Sequence, residues 1–336
     1  MVWLCFLIAI FSVGYSLTGL LRRYALATSL LDIPNHRSSH ALPTPRGGGL
    51  SFVFCFIAGL SFLFYIQSIT IELFAALMGA GFFVAFIGFM DDHKSVAAKW
   101  RLLGHFLASM FALYMLGGMS QFTIYHWTLP SGSLLNVLAV IYLVWLLNLY
   151  NFMDGIDGIA AIEAISVYLG SALLYYLHGN TGAMFAPLVL AVAVGGFLCW
   201  NFPPARIFMG DAGSGFLGIT LGVLSIEGGK IDSNFFWSWL ILLGVFIVDA
   251  TITLFRRALN KEVLLQAHRS HAYQNISRRY NSHLPVTVGT LLINVLWLLP
   301  IAVTVSFGIV SGILGLVLAY VPLAILAIRF NAGKES

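Results

Sequence analysis

The chain has 336 residues, of which 60% are hydrophobic and only 9% are charged, and its formal net charge is +4. With a mean hydropathy of +0.92, this composition excludes a soluble domain of any class. The small basic excess lies in loops beside apolar segments, so it gives no indication of nucleic-acid binding. The three cysteines lie in apolar stretches without a C-x-x-C pair, and they indicate neither a disulfide framework nor a zinc site.

Apolar stretches of about twenty residues, the length that crosses a bilayer, recur along the whole chain. They predict an all-α fold, a polytopic integral membrane protein with about eleven transmembrane helices that form a single domain over residues 1–336. The predicted spans lie near residues 2–21, 47–67, 71–90, 102–118, 134–153, 159–177, 183–200, 214–227, 235–255, 285–305 and 308–328.

The basic residues are divided unevenly between the two sides of these spans. When the spans alternate in direction, all of the 17 Lys and Arg residues except Lys230 fall on one side. Basic loops remain in the cytoplasm, so this side is predicted to be cytoplasmic, with the N-terminus outside and the C-terminus inside. Basic residues follow the first span but do not precede it, which predicts an anchor and not a cleaved signal peptide.

Six of the 13 acidic residues lie in four short motifs at or near the ends of predicted spans. A carboxylate is costly beside a bilayer, so this clustering indicates a functional site. The predicted orientation places five of the acids at the cytoplasmic face and the sixth about two turns inside the same end of its span. The five are Asp91, Asp92, Asp154, Asp157 and Asp211, and the deeper one is Asp249.

Asp91 and Asp92 follow the apolar run that ends the third span. The helix macrodipole is negative at this end and opposes two carboxylates. Capping of the next helix by Asp92 would explain one acid but not the pair. The pair therefore predicts a catalytic group in which one carboxylate stays ionised while a nearby cation or metal tunes the other.

A second polar group ends the fifth span. Asn148 and Asn151 are three residues apart, as are Asp154 and Asp157, so on a helical path each pair shares one face. A cap needs only one of these four side chains. The spacing therefore favours a polar ligand site.

The third motif, Gly210-Asp211-Ala212-Gly213-Ser214, precedes a span. Backbone N–H groups at a helix N-terminus bind anions, and glycines let a phosphate approach closely. Asp211 serves either as the N-cap or as a ligand of a hard cation. Carboxylate, amide and phosphate oxygens together favour Mg²⁺, with Mn²⁺ as the alternative, over zinc.

Two basic loops complete the pattern. Arg46 lies in a Pro-Arg-Gly-Gly-Gly segment, and His268 and His271 lie in the long loop from 256 to 283. Ordinary cytoplasmic loop charge explains the arginines at the ends of that loop. The two histidines are three residues apart and can present two donors to a diphosphate.

Taken in order, these motifs resemble those of the polyprenyl-phosphate N-acetylhexosamine-1-phosphate transferases, glycosyltransferase family 4, which includes the MraY and WecA types. The match runs from about residue 30 to 275, and eleven spans with an outside N-terminus are similar to the WecA-type branch. The matching motifs are Asn35-His36-Arg37, Pro45-Arg46-Gly47-Gly48-Gly49, Gly88-Phe89-Met90-Asp91-Asp92, Asn148-x-x-Asn151-x-x-Asp154-Gly-x-Asp157-Gly and Phe208-Met209-Gly210-Asp211-x-Gly213-Ser214, with the loop histidines.

The resemblance implies Mg²⁺-dependent transfer of a sugar-1-phosphate from a UDP-sugar to undecaprenyl phosphate, with release of UMP. It implies a bacterial inner membrane protein whose active site faces the cytoplasm, and homodimers occur in the family. By the family's pattern, Asp91 and Asp92 would act on the lipid phosphate, and Asp211 with Asn151 would hold the metal. The substrate-binding residues that it implies are Asn148, Asp154, Asp157, Arg46, His40, His268 and His271.

The family's His-x-His-His signature is incomplete here, because its third position is Ser270. This departure argues against the muramoyl-pentapeptide enzyme and favours initiation of a surface polysaccharide such as O-antigen. The expected donor is a UDP-N-acetyl sugar, either N-acetylglucosamine or a 6-deoxy relative. Residue types leave open whether an aspartate acts in a single displacement or as a nucleophile, and the anionic acceptor favours the single displacement.

An ion-coupled transporter is the alternative class, since it also holds acids in the membrane. Its carboxylates should lie near the bilayer midplane, in broken helices of two related repeats. In this sequence they lie at one predicted face, and the chain contains no second, related half. An assay of transport against exchange of UMP separates the two classes.

Overall fold

The computed structural model describes residues 1–34, 42–124, 127–262 and 269–334. Within these residues the chain forms fourteen α-helices. The first seven are α1 (Val2–Ala27), α2 (Leu50–Tyr65), α3 (Ile71–His93), α4 (Ala98–Met115), α5 (Ser133–Met153), α6 (Ile159–Leu177) and α7 (Thr181–Asn201). The others are α8 (Asp211–Ile231), α9 (Ser233–Leu242), α10 (Gly244–Leu259), α11 (Ala272–Tyr280), α12 (Leu284–Ile293), α13 (Leu299–Ser306) and α14 (Gly312–Arg329), with a π-helical turn (Asn294–Leu298) between α12 and α13.

Several of these helices are long and apolar enough to cross a membrane. In the part of the chain that is described, seven helical segments meet both criteria, or eight if α9 and α10 form one bent span. The predicted fold class is confirmed, because the protein is an all-α, multi-pass membrane protein. All eleven predicted spans overlap a helix or a pair of consecutive helices. The number of crossings and the orientation stay predictions.

Two short antiparallel ribbons supplement the helices. β1 (Leu31–Asp32) pairs with β2 (Thr44–Pro45) between α1 and α2. β3 (Phe122–Ile124) pairs with β4 (Trp127–Leu129) between α4 and α5. The first ribbon leads directly into the Pro-Arg-Gly-Gly-Gly segment and fixes where that segment enters the bundle.

The predicted span over residues 235–255 corresponds to α9 and α10, which meet at a bend of 69°. Gly244 begins α10, and a Cβ at this position would lie 3.3 Å from the Leu298 side chain and 3.2 Å from that of Leu323. The absence of a side chain at Gly244 lets neighbouring helices pack into the bend. Hydropathy contains no information on such a tertiary contact, so residues 235–255 are predicted as one continuous span.

Helix α8 lies inside the bundle and packs against α3 and α5. Every residue from Ala212 to Ile226 is buried. A Cβ at Gly218 would lie 2.6 Å from the Cα of Leu147, so glycine is needed for α5 and α8 to approach this closely. Small residues serve the same purpose at many helix interfaces in membranes. The packing fixes the N-terminus of α8 near the ends of α3 and α5.

One buried acid was not singled out from the sequence. Glu163 on α6 is fully buried, and its Oε2 accepts a hydrogen bond of 2.6 Å from Nδ2 of Asn294. The same amide nitrogen donates to Ser166 Oγ at 2.7 Å. Asn294 begins the π-helical turn, an irregularity that changes which face of a helix its side chains occupy. This polar contact ties the turn to α6.

Candidate active site

The end of α3 and the start of α8 meet at the carboxylate of Asp92. Its Oδ1 accepts the N–H of Asp211 at 3.0 Å, and its Oδ2 accepts the N–H of Ala212 at 3.3 Å. Gly210 permits this approach, since its φ is +79° and a Cβ would lie 2.6 Å from Asp92 Oδ2. The Asp92 side chain is only 1% exposed. It places a negative charge at a helix N-terminus, where the helix dipole stabilises it.

Arg46 contacts the same carboxylate. Its Nη2 and Nε donate to Asp92 Oδ1 at 2.6 and 3.0 Å. Burial lowers the pKa of Arg46, but the charges of Asp92 and Asp211 outweigh this effect and hold the pKa above its usual value. Arg46 therefore remains a cation at this position.

The loop that carries Arg46 is joined to the segment before α8 by backbone hydrogen bonds. Gly48 N donates to Phe208 O, and Gly49 N donates to Met209 O, both at 2.9 Å. A Cβ at Gly49 would lie 2.5 Å from the Cα of Gly213, so a larger residue would separate the two segments. Two motifs that are far apart in the sequence thus form one unit.

Asp91 and Asp211 share a cation. Nη1 of Arg101 donates to Asp91 Oδ2 and, at 3.2 Å, to Asp211 Oδ2. Asp91 Oδ1 also accepts the N–H of Val96 at 2.6 Å. The Asp91 and Asp211 side chains are 10% and 31% exposed, so both reach the surface more than Asp92 does. Arg101 was not predicted as a site residue, because the positive-inside pattern already accounts for a cation in this loop.

Asp211 and Asn151 line a small cavity of about 10 Å³ together with Arg101 and His105. Asn151 Oδ1 also accepts a hydrogen bond of 2.6 Å from Ser214 Oγ. Among the described residues, no group of three or more His, Cys, Asp or Glu side chains could hold a metal by itself. The chain offers carboxylate and amide oxygens, which suit Mg²⁺ when water and substrate phosphates complete its coordination.

Asn148 lies on α5 one turn before Asn151. Its Nδ2 donates to Val144 O at 2.7 Å, and its side chain also interacts with His105 on α4. His105 lines the small cavity, so Asn148 contacts one residue of the cavity wall. The two asparagines are therefore brought to one region, as their spacing predicts.

Asp154 and Asp157 lie in the turn between α5 and α6. Asp154 is deep in the protein but retains some accessible surface, and burial raises its pKa to about 7, helped by the charges of Asp92 and Asp157. Asp157 Oδ2 accepts the N–H of Ala205 at 3.0 Å, and its Oδ1 lies 3.1 Å from Nδ1 of His283. His283 was not predicted as a site residue, since it lies 126 positions beyond Asp157 in the chain.

Asp249 caps α11, a role that the sequence did not suggest. Its Oδ1 accepts the N–H of Ala272 at 2.9 Å, and its Oδ2 accepts the N–H of Tyr273 at 3.0 Å. Nδ1 of His271 lies 3.4 Å from Asp249 Oδ1, and His271 is only 2% exposed. His271 therefore supports the start of α11, and its predicted contact with a diphosphate stays a prediction.

Helix α11 reaches the turn between α5 and α6 through Tyr273. The Tyr273 hydroxyl donates to Phe152 O at 3.1 Å. Because Asp249 fixes the start of α11, this contact connects α10 to the turn that carries the second acidic motif. Two other predicted substrate contacts, His40 and His268, lie outside the described residues.

A cavity of about 650 Å³, lined by both polar and apolar residues, opens beside these groups. Its walls include Asp157, His283 and Phe208, together with Arg269 and Arg278. Arg278 Nη1 donates to the backbone oxygen of Arg269 at 3.1 Å. This bond holds α11 against the segment that precedes it. Cations and an aromatic ring suit a ligand that carries both anionic groups and a planar ring.

Apolar helices with carboxylates and arginines clustered at one end, beside a large cavity, indicate an integral membrane protein with a charged site at the edge of the helix bundle. The sequence model of glycosyl transferase family 4 matches residues 73–229, a range that contains Asp91, Asp92, Asn151 and Asp211. The match covers 157 of the 336 residues, so the chain is similar to this family over slightly less than half of its length.

Several curated proteins are similar over most of their length. The chain is 28% identical over 272 residues to the probable undecaprenyl-phosphate N-acetylglucosaminyl 1-phosphate transferase of Bacillus subtilis, covering 80% of this chain and 75% of that protein. It is 27% identical over 303 residues to the decaprenyl-phosphate N-acetylglucosaminephosphotransferase of Mycolicibacterium smegmatis, covering 81% and 74%. It is 28% identical over 266 residues to the phospho-N-acetylmuramoyl-pentapeptide-transferase of Campylobacter lari, covering 69% and 74%. These nearly equal identities leave the branch of the family unresolved.

Proposed function

We propose that the protein transfers an N-acetylhexosamine-1-phosphate from a UDP-sugar to a polyprenyl phosphate and releases UMP. The Bacillus and Mycolicibacterium relatives support this reaction class, since both are named as N-acetylglucosamine-phosphate transferases that use a polyprenyl phosphate. The observation that carries the proposal is the cluster in which Arg101 bridges Asp91 and Asp211. Such a group of charges suits the binding and transfer of phosphate.

The 650 Å³ cavity is the proposed site of the UDP-sugar. Thr44 and Phe208 line this cavity. Arg46 lies two residues after Thr44, and Gly210 lies two residues after Phe208. Both Arg46 and Gly210 lie against Asp92. A donor bound in the cavity would therefore extend its diphosphate toward the carboxylate cluster. The cavity arginines would bind the phosphates, and the aromatic ring offers a surface on which uracil could stack.

Mg²⁺ is the proposed cofactor. Asp211 and Asn151 would hold it from the wall of the small cavity, with Asp91 nearby through their shared contact with Arg101. This set fits a hard cation because it contains only oxygen donors and leaves positions for substrate phosphates. When bound, Mg²⁺ would neutralise phosphate charge and favour the developing transition state.

In the proposed reaction, an oxygen of the polyprenyl phosphate attacks the phosphorus that carries the sugar. The bond between this phosphorus and the bridging oxygen breaks, and UMP leaves with that oxygen. Asp91 is the better candidate for orienting the acceptor phosphate, since it is more exposed than Asp92. Arg101 would stabilise the charge on the transferred group, a task for which a fixed cation is suited.

We assign Asp92 a positioning role, although the sequence predicted it as catalytic together with Asp91. Its oxygens are already engaged by Arg46 and by two backbone N–H groups of α8. A carboxylate occupied in this way has little capacity left for a substrate. Asp92 would instead fix the positions of Arg46 and of the glycine-rich turn beside the site.

The proposed location is the bacterial inner membrane, with undecaprenyl phosphate as acceptor and the site facing the cytoplasm, where UDP-sugars occur. N-acetylglucosamine is the first choice of sugar because it is named for two of the relatives. The predicted O-antigen step has no support among the relatives, and the pathway is not part of the proposal. The transporter alternative has no support among them either.

The test is an assay of the purified protein with undecaprenyl phosphate, Mg²⁺ and a panel of UDP-sugars. The proposal predicts a lipid-linked sugar and an equal amount of UMP with at least one UDP-N-acetylhexosamine. A matched control is Glu72→Gln, which removes an exposed carboxylate from the other end of α3 and should leave activity unchanged. Failure of every UDP-sugar, in protein that remains folded, would refute the proposal.

A further inference from the structure

A second charged cavity, of about 360 Å³, lies between α11 and the end of α14. Three arginines line it: Arg278 and Arg279 from α11 and Arg329 from the last position of α14. The remaining wall consists of Asn275, Phe330 and Asn331. No described carboxylate lies within ion-pair distance of Arg279 or Arg329. The positive charges of Arg279 and Arg329, without acidic partners among the described residues, suit a multivalent anion.

The cavity borders a surface that suits lipid chains. Helix α14 is one of the segments apolar enough to cross a membrane, and only 28% of its residues are buried inside the protein. In its last two turns Ile325 and Ile328 are 63% and 53% exposed. The arginine cavity begins where this apolar surface ends. A ligand that fills both regions has an anionic head and hydrocarbon chains.

We propose that this cavity binds the phosphate headgroup of an anionic phospholipid of the phosphatidylglycerol type. The guanidinium groups of Arg279 and Arg329 contact the phosphate, and the acyl chains lie along Ile325 and Ile328. Basic pockets between helices at a membrane surface bind such headgroups. The apolar surface of α14 favours a lipid over a free phosphate, which has no chains to cover it.

A ligand bound in this cavity would affect the candidate active site through its contacts with α11. Asn275 Nδ2 donates to Phe330 O at 2.9 Å and to Asn331 O at 3.0 Å, and Gly333 N donates to Ser270 O at 2.7 Å. These bonds fasten the C-terminal segment to the start of α11. A lipid held by residues from both segments stabilises this junction. It therefore also stabilises the contact of α11 with the turn between α5 and α6.

The test compares wild type with the double variant Arg279→Gln/Arg329→Gln, which leaves the donor cavity's Arg278 intact. Phosphatidylglycerol, phosphatidylcholine and inorganic phosphate are titrated into delipidated, detergent-solubilised protein, with bound lipid counted by native mass spectrometry and the unfolding temperature measured. The matched control is Arg23→Gln/Lys261→Gln, which removes two exposed charges elsewhere. At about 1 kcal/mol per basic residue, the double variant should bind phosphatidylglycerol roughly 30-fold more weakly than wild type and the control.

Three outcomes would overturn the proposal. The first is equal phosphatidylglycerol affinity in wild type and the double variant. The second is equal stabilisation by phosphatidylcholine and phosphatidylglycerol. The third is competition by inorganic phosphate at concentrations comparable to those of the lipid, which would identify a site for free phosphate. None of these readouts depends on transferase activity, so the lipid site is tested separately from the proposed function.

Discussion

The carboxylate of Asp92 accepts the backbone N–H of Asp211 at 3.0 Å, while the side chain of Asp211 pairs with Arg101. Two acids from separate sequence motifs therefore have different tasks. Asp92 holds the backbone at the start of α8, and Asp211 presents its carboxylate to the candidate site. Asp91 contacts the same arginine and also presents its carboxylate to the candidate site. This division leads to different expectations for similar substitutions.

Asp92→Asn should destabilise the protein more than Asp91→Asn does. The Asp92 side chain is almost fully buried and accepts hydrogen bonds from Arg46 and from the N–H groups of Asp211 and Ala212, so loss of its charge should cost about 1–3 kcal/mol. Asp91→Asn should abolish transfer with a smaller change in stability. Thermal unfolding of the two purified variants measures the difference. An unfolding temperature of Asp92→Asn equal to that of wild type would contradict the positioning role.

Gly210→Ala should lower stability and activity together. The new Cβ would lie 2.6 Å from Asp92 Oδ2, and the φ of +79° strains any residue that has a side chain. We expect a loss of at least about 1 kcal/mol, read as a lower unfolding temperature. Gly132→Ala is the control, because no atom lies within 4 Å of its added Cβ and its φ of 168° is ordinary extended backbone. Equal behaviour of the two variants would disprove this account of the turn.

Arg101→Gln should reduce the turnover number about 100-fold or more, as the loss of a fixed charge in a transition-state site commonly does. Arg101→Lys should recover part of the loss, since both contacts come from the single nitrogen Nη1 and an ammonium group keeps the charge. Lys99→Gln is the control, because Lys99 lies over the Trp100 ring on the exposed side of α4. Release of UMP under saturating substrates is the measurement. Unchanged turnover in Arg101→Gln would remove Arg101 from the site.

Asp154 should make stability depend on pH in protein free of substrate and metal. Its pKa of about 7 in the folded protein lies above the value of about 3.9 in an unfolded chain. The folded state therefore binds the proton more tightly, and stability falls as the pH rises from about 4 to about 7. The loss is at most about 4 kcal/mol. Unfolding temperatures measured with a chelator should fall less between pH 5 and 7.5 in Asp154→Asn, and identical slopes would contradict the assignment.

The helices were predicted well from the sequence because local hydropathy is sufficient to identify a membrane span. Every predicted span overlaps a helical segment, although the bend before Gly244 depends on packing against distant side chains and was missed. The strands near Arg46 and the buried pair of Glu163 and Asn294 were missed for the same reason. Each results from contacts between segments far apart in the chain.

The candidate site was predicted in part. Asp91, Asp211, Asn151 and Arg46 could be identified because unusual polar groups at the ends of apolar spans are visible in the sequence. Arg101 was not, because a cytoplasmic arginine is expected in such a loop whatever its contacts. The capping role of Asp249 was also hidden, since it requires knowing that α11 docks on α10. Residue type indicates that a site exists, whereas packing decides which acid holds the fold and which acid faces the ligand.

The most direct test of the central claim is UMP release by wild type and Asp211→Asn, with undecaprenyl phosphate and the best UDP-sugar, across a titration of Mg²⁺. The account predicts that wild type is inactive in chelator and recovers with Mg²⁺. Asp211→Asn should remain inactive or require far more metal, while it stays inserted in the membrane and unfolds near the wild-type temperature. Wild-type activity of Asp211→Asn at the same Mg²⁺ concentration would contradict the claim that Asp211 forms the metal-dependent centre.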